Sequence, residues 1–241
     1  MAARPTYRYQ YWSRGQIEEL ADDVRVNLLP RWLFKLSVGI HGTGVEAQPR
    51  ERSLRRDRLA RKLEASSVVH KFTGSEEIRT TPFYVRGAGR LTLMRSGGGG
   101  KEGESSMIYG AVQTPAELTA HVCLFGSINN FIGYRRAGRE RAGWAYSAWA
   151  AIQELIDTHG TVNNSQWDNE ARAFEAVKWA KTSEEDGRLV FDKLQAEWCA
   201  LIYSDVTPTR GRWHGGWEQQ TGRILVGTPL WVRIALPGVR G

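Results

Sequence analysis

Met107-Ile108-Tyr109-Gly110-Ala111-Val112 and Leu118-Thr119-Ala120-His121-Val122-Cys123-Leu124-Phe125 decide the fold class. Both runs have the length and the β-branched and aromatic content of antiparallel strands, and Thr114-Pro115 supplies a turn between them. Upstream, Phe83-Tyr84-Val85 and Arg90-Leu91-Thr92-Leu93-Met94 read as two more strands. The glycine run from Ser96 to Gly103 reads as a flexible hairpin connection, costly in backbone entropy to order.

Towards the N-terminus, Tyr7-Arg8-Tyr9-Gln10-Tyr11-Trp12 alternates with period two, three tyrosines on one face, as a strand presents them. Ser13 and Gln16 then stand at capping-box spacing, and Ile17, Leu20, Ala21 and Val24 continue at helical spacing. Trp32 to Ile40 reads as a strand ended by Gly42-Thr43-Gly44. Arg50 to about Ala65 reads as a solvated helix, with Arg55, Arg58, Arg61 and Lys62 on one side and Leu59, Ala60 and Leu63 on the other.

Beyond Gly143 the period becomes helical. Trp144, Ala148, Ile152 and Leu155 make one amphipathic helix closed by Gly160. Ser165 and Asp168 open a second, carrying Trp167, Ala171, Phe174 and Val177. Ser183 with Glu184, Glu185 and Asp186 opens a third, whose buried side is Val190, Leu194, Trp198, Leu201 and Ile202. Two short strands, 223–226 and 230–235, close the chain around Gly227-Thr228-Pro229. The expected architecture is α+β: a mainly antiparallel sheet covered by three Trp-rich amphipathic helices, in one domain over 1–241. Its parts are a strand-rich 1–134, a helical 141–204 and the closing strands. A split into two domains near Tyr134 is the alternative.

The 241 residues are 41% hydrophobic and 24% charged, enough apolar surface for a core, which excludes a disordered chain or a disulfide miniprotein. Lys plus Arg number 33 against 26 acids, and only seven of the basic residues are Lys. That Arg bias, with abundant Gly and Ala, reflects GC-rich codon usage, so net charge alone does not argue for a polyanionic partner. The two cysteines, Cys123 and Cys199, read as small buried hydrophobes, and no paired-Cys zinc pattern or other metal motif occurs. The N-terminus lacks a signal-peptide core and no apolar run is long enough to span a bilayer, so a cytoplasmic protein without membrane contact is expected.

Several stretches invite chemistry. Gly97 to Lys101 lacks the upstream Gly and the following Ser or Thr of a phosphate-binding loop, so it is set aside. His121 and Cys123 share one strand face and suggest a Cys–His nucleophile pair; ordinary sheet packing is the plainer reading. Gly126-Ser127-Ile128-Asn129-Asn130 is a polar turn at a strand end, able to aim hydrogen-bonding groups at a ligand or simply to cap itself. Arg210-Gly211-Arg212-Trp213-His214-Gly215-Gly216-Trp217 can stack or clamp an anionic ligand, or fold back on the core as a lid. The faces Arg55, Arg58, Arg61, Lys62 and Arg135, Arg136, Arg139, Arg141 can neutralise phosphates, though interleaved acids make a solvated surface the plainer reading.

With Tyr7-Arg8-Tyr9-Gln10-Tyr11-Trp12-Ser13-Arg14, Leu124-Phe125-Gly126-Ser127 leading to Phe131-Ile132-Gly133, and Val226-Gly227-Thr228-Pro229-Leu230-Trp231-Val232, the chain resembles an actinobacterial family of domain-of-unknown-function proteins. The resemblance implies an actinobacterial, cytoplasmic setting and brings no catalytic residue; it leaves any cofactor open. The functional expectation is a binding protein for a small molecule or a protein partner. Its pocket is expected where Ser13, Arg14, Ser127, Asn129 and Asn130 meet Arg212, Trp213, His214 and Trp217. The alternatives are an enzyme using His214 or the His121/Cys123 pair, and a nucleic-acid-binding accessory protein using the Arg-rich faces.

Overall fold

In the computed structural model, which describes residues 6–25, 49–74, 79–96, 105–114, 117–132, 169–185, 189–213 and 216–236, the opening alternation forms strand β1 (Thr6–Trp12), followed by helix α1 (Arg14–Asp23). Ser13 occupies the N-cap position of α1, but its side chain makes no capping hydrogen bond and the Gln16 side-chain oxygen is buried without a partner, so the expected capping box does not form. Helix α2 (Pro49–Glu64) matches the expected one, turning Arg55, Arg58, Arg61 and Lys62 to solvent and burying Ala60 and Leu63. Strands β2 (Val69–Lys71), β3 (Phe83–Ser96), β4 (Ser105–Gln113) and β5 (Thr119–Ser127) follow, then helix α3 (Asn169–Glu185), β6 (Leu189–Val206) and β7 (Thr221–Leu236).

Three expectations need correction. The third helix, expected across Val190 to Ile202, is the strand β6; only its second half is buried, and there on both faces, so its apolar residues also fall at helical spacing. Of the three expected Trp-rich helices only α3 is described as one, and it carries Trp179; Trp144, Trp149 and Trp167 lie outside the described residues. Trp12, Trp198 and Trp231 lie in strands β1, β6 and β7. The two upstream strands fuse into β3 and the two closing strands into β7. Gly87 does not break β3 because it pairs with Trp198, whose indole would lie 2.5 Å from any Cβ there. The expected strand at Trp32–Ile40, the helix at 143–160 and the glycine-rich connection at 97–103 lie outside the described residues.

The pairings close a ring. β3 pairs β4, β4 pairs β5, and β6 pairs both β3 and β7, all antiparallel; β5 pairs β7 in parallel. Numbered along the chain, these five strands run 1-2-3-5-4-1, the connectivity of an OB-type Greek-key barrel. β1 adds antiparallel to the second half of β7, and β2 adds parallel to β3. The Gly227-Thr228-Pro229 segment is therefore a corner, not a turn. Before it β7 pairs β5 and after it β7 pairs β1, while Gly227 lets the β6 backbone approach so closely that a Cβ would meet the Leu201 carbonyl.

All five ring strands fill the interior, with Val85, Leu91, Leu93, Ile108, Val122, Leu124, Trp198, Ile202, Leu225 and Val232 among its buried side chains. The outside is covered in two places. Helix α3 lays Phe174, Ala176, Val177 and Ala180 over Met107, Tyr109, Cys123, Phe125 and Ile224. Helices α1 and α2 bring Ile17, Leu20, Ala60 and Leu63 against Tyr9, Cys199, Leu201 and Trp231.

Candidate functional site: a polar cleft at the end of β6

β6 carries a register shift between Ile202 and Ser204, after which it runs out past Asp205 to its end at Val206, with Thr207 following. Asp205 accepts two hydrogen bonds from Arg223 of β7, at 2.7 Å to Nε and 2.6 Å to Nη2, and both side chains are at least nine-tenths buried. Such a two-point, charge-assisted pair fixes both partners in plane. The same carboxylate accepts the Arg79 backbone N–H at 3.3 Å, which holds the Arg79-Thr80-Thr81 segment beside the strand end. Between that segment, the strand end and the start of α3 at Asn169 lies a cleft of about 600 Å³. Thr80, Thr81, Thr207, Asn169 and Ser204 give it hydroxyl and amide groups, and Val206 is its one aliphatic wall. Ser204 is 4% exposed, and its hydroxyl has no hydrogen-bond partner.

Glu170, on the opposite wall, holds the aromatic loop. Its carboxylate accepts the Thr209 N–H at 2.7 Å, the Thr209 hydroxyl at 2.8 Å, an Arg212 guanidinium N–H at 3.1 Å and the Trp213 indole N–H. Burial alone would raise this carboxyl, but the Trp213 and Thr209 hydrogen bonds and the Arg212 charge outweigh it and hold the group below its ordinary range. Trp213 stacks on Phe174 of α3 with ring centres 4.1 Å apart, and Trp217 stacks on the same ring at 5.5 Å. Arg212 lies over Trp213, and Lys181 over Trp217. Among the described residues of the loop, the Trp213 and Trp217 rings thus pack back against the core.

His121 belongs to the same cluster. Its Nδ1 lies 2.9 Å from the Tyr109 hydroxyl and its Nε2 3.1 Å from Thr221 Oγ1, which itself donates to the Trp217 carbonyl. With its own hydrogen committed, Thr221 accepts from Nε2–H, so the neutral ring carries its proton on Nε2 and Nδ1 accepts from Tyr109. Burial, then Lys181, pushes the imidazole down to about 4. Burial pushes the Cys123 and Cys199 thiols far up. A Cys–His nucleophile needs a thiolate, and this pair is a neutral imidazole beside a protonated thiol.

The polar turn goes elsewhere. Ser127 accepts the Asn129 N–H at 3.3 Å, the Asn130 side chain donates to the Tyr11 hydroxyl at 3.0 Å, and burial pushes that phenol up to about 12. Ser13 donates its N–H to the Leu230 carbonyl, and Arg14 pairs with Glu18 at 2.8 Å. These five residues gather near the end of β1. Trp217 sits by His121, at the other end of β5, and Ser127 is six residues along that strand, roughly 20 Å at the usual rise. The expected recess shared by the two groups does not form among the described residues, and His214 lies outside them. The cleft residues themselves were missed. The available signal was a pair of Thr-Pro segments, Arg79-Thr80-Thr81-Pro82 and Asp205-Val206-Thr207-Pro208, which the fold sets side by side.

OB-type barrels bind oligonucleotides on the outer face of their second and third strands. Here those strands are β4 and β5, and α3 covers them. Among the described residues no three His, Cys, Asp or Glu side chains gather as metal ligands, and no helix is long and apolar enough to cross a membrane.

The architecture defines a helix-covered, five-stranded Greek-key barrel with a polar cleft at one strand end. The chain belongs to the DUF7019 family, a family of unknown function whose model matches residues 7–235. No curated protein and no solved structure matches it.

Proposed function

We propose that the protein binds a small polar molecule in the cleft between Arg79–Thr81, Asn169 and Ser204–Thr207. One observation carries this reading: both acids of the cleft, Glu170 and Asp205, are already paired with Arg212 and Arg223, so its organised walls leave hydroxyl, amide and guanidinium groups for a guest. A volume of about 600 Å³ lies within the range that holds a small ligand. Arg212 and Trp213 take part as the support behind Glu170 rather than as a stacking wall. The acid–base alternative has less to stand on, because His121 is held neutral and is enclosed by Tyr109, Thr221 and Trp217.

The test is a heteronuclear NMR screen of the full chain with small hydroxylated fragments. Amide shifts are expected at Arg79 to Thr81, Asn169 and Ser204 to Thr207, and Thr207→Trp, which fills the cleft, is expected to abolish them. Shifts that survive Thr207→Trp, or none anywhere, would overturn the reading.

A further inference from the structure

The geometry points to a tetrahedral oxyanion, a phosphate or sulfate group, as what the cleft binds, with Arg79 as its charged anchor and Ser204 as a hydroxyl donor. The inference rests on the cleft being a ligand site. Four observations converge on it. Arg79 is exposed and has no ion-pair partner among the described residues, while its backbone is tied to Asp205, so the guanidinium is presented from a fixed base. The two acids lining the cleft are each neutralised by an arginine, Glu170 by Arg212 at 3.1 Å and Asp205 by Arg223 at 2.6 Å, which leaves Arg79 as the unneutralised charge among the described lining residues.

Ser204 is the third. A buried hydroxyl without a partner costs about 1–3 kcal/mol, and this one belongs to a residue lining the cleft. A bound oxygen removes that deficit. The fourth is Asn169 on the cleft wall, whose side-chain amide adds a donor from a third segment. The donors come from three separate segments rather than from one plane, which suits a tetrahedral group better than a flat carboxylate.

The experiment titrates inorganic phosphate into the labelled full chain at constant ionic strength set with chloride, reading amide shifts and Tm. Saturable shifts are expected at Arg79 to Thr81 and Ser204 to Thr207. At about twenty times the dissociation constant, Tm is expected to rise by roughly 4–7 °C. Arg79→Ala should weaken phosphate at least about tenfold and Ser204→Ala about threefold, with Arg79→Lys closer to the natural chain. A phosphorylated sugar that displaces phosphate at lower concentration identifies an ester as the ligand; equal or weaker competition identifies the free anion. Phosphate binding that is absent, or indifferent to Arg79→Ala, would overturn the oxyanion assignment. If neutral hydroxylated fragments then still shift the same amides, the cleft reading stands without it; if they do not, both fall.

Discussion

Replacing Glu170 tests whether the clasp on the aromatic loop organises this end of the molecule. Glu170→Gln keeps the shape and removes the charge. The amide cannot put its NH2 where Oε1 is, because that oxygen faces the Thr209 N–H and the Trp213 indole N–H, neither of which can accept. The NH2 must take the Oε2 position, where the Thr209 hydroxyl can rotate to accept but the Arg212 guanidinium cannot. The loss is one charge-assisted contact, discounted because Arg212 is partly exposed, plus the ionic share of the remaining bonds: about 2 kcal/mol. Glu170→Ala removes all four hydrogen bonds to its carboxylate and should cost about 4 kcal/mol, roughly 1 kcal/mol for each. In a chain of this size these correspond to Tm losses of roughly 6 and 12 °C.

Far-UV circular dichroism melts measure this directly, and pH supplies an internal control. The carboxyl is held below its ordinary value of 4.5, so its contribution is present above that pH and is lost as pH falls through the folded-state value. The gap between the natural chain and Glu170→Gln should therefore be full at neutral pH and narrow on acidification below about pH 4.5. Equal melting temperatures at neutral pH, or a gap indifferent to acid, would refute the clasp.

His121 should remain neutral until about pH 4, followed by its ring proton shifts. Since the unfolded imidazole titrates near 6.5, the unfolded chain binds the extra proton first, and stability falls by about 2 kcal/mol from pH 7 to about pH 4.5. His121→Gln should flatten that slope in urea titrations; an unchanged slope would show that the ring titrates normally. Gly227→Ala would set a Cβ 2.2 Å from the Leu201 carbonyl oxygen in a ring that cannot open one seam alone. A cost of about 3 kcal/mol or more is expected. Gly15→Ala in α1, with nothing within 4 Å, should instead gain about 0.5–1 kcal/mol. If both glycine variants melt alike, β6 and β7 do not pair as described.

Strands rich in β-branched and aromatic residues and bounded by clear turns were legible. β1, β4 and β5 were found from their residues, and α2 from its separation of Arg55, Arg58, Arg61 and Lys62 from Ala60 and Leu63. In β6 burial on both faces, which β5 shares, came together with helix-forming residues. Trp198, Ala200 and Ile202 point into the barrel while Cys199 and Leu201 pack under α1 and α2, so this part of β6 has no polar side and its alternation vanishes. A run of that kind satisfies helical spacing as well as strand spacing, and Leu194, Gln195, Ala196 and Glu197 are good helix formers that tilted the choice. Glycines misled in the same direction. Gly227 was read as a turn and Gly87 falls in the gap left between the expected strands at 83–85 and 90–94, yet each is where a neighbouring backbone or an indole must come close.

The site was hidden for a related reason. Its walls come from residues 79–81, 169–170 and 204–207, and nothing local links them. They meet because β6 pairs with β3 along its length and because α3 starts over the end of the ring. Once β6 is read as a helix, Asp205 loses its place opposite Arg223, and with it the anchor that brings Arg79 to the strand end. Closure also decides where a polar guest can go. The interior is filled by side chains as large as Trp198, and the outer face that barrels of this connectivity offer to ligands lies under α3. The proposed cleft lies instead on the rim, where β6 slips register after Ile202 and Ser204 and Asp205 interrupt the apolar sequence of the strand. The proposed site thus depends on an irregular strand end, because that slip is what brings an arginine and an unpaired hydroxyl to the same cleft.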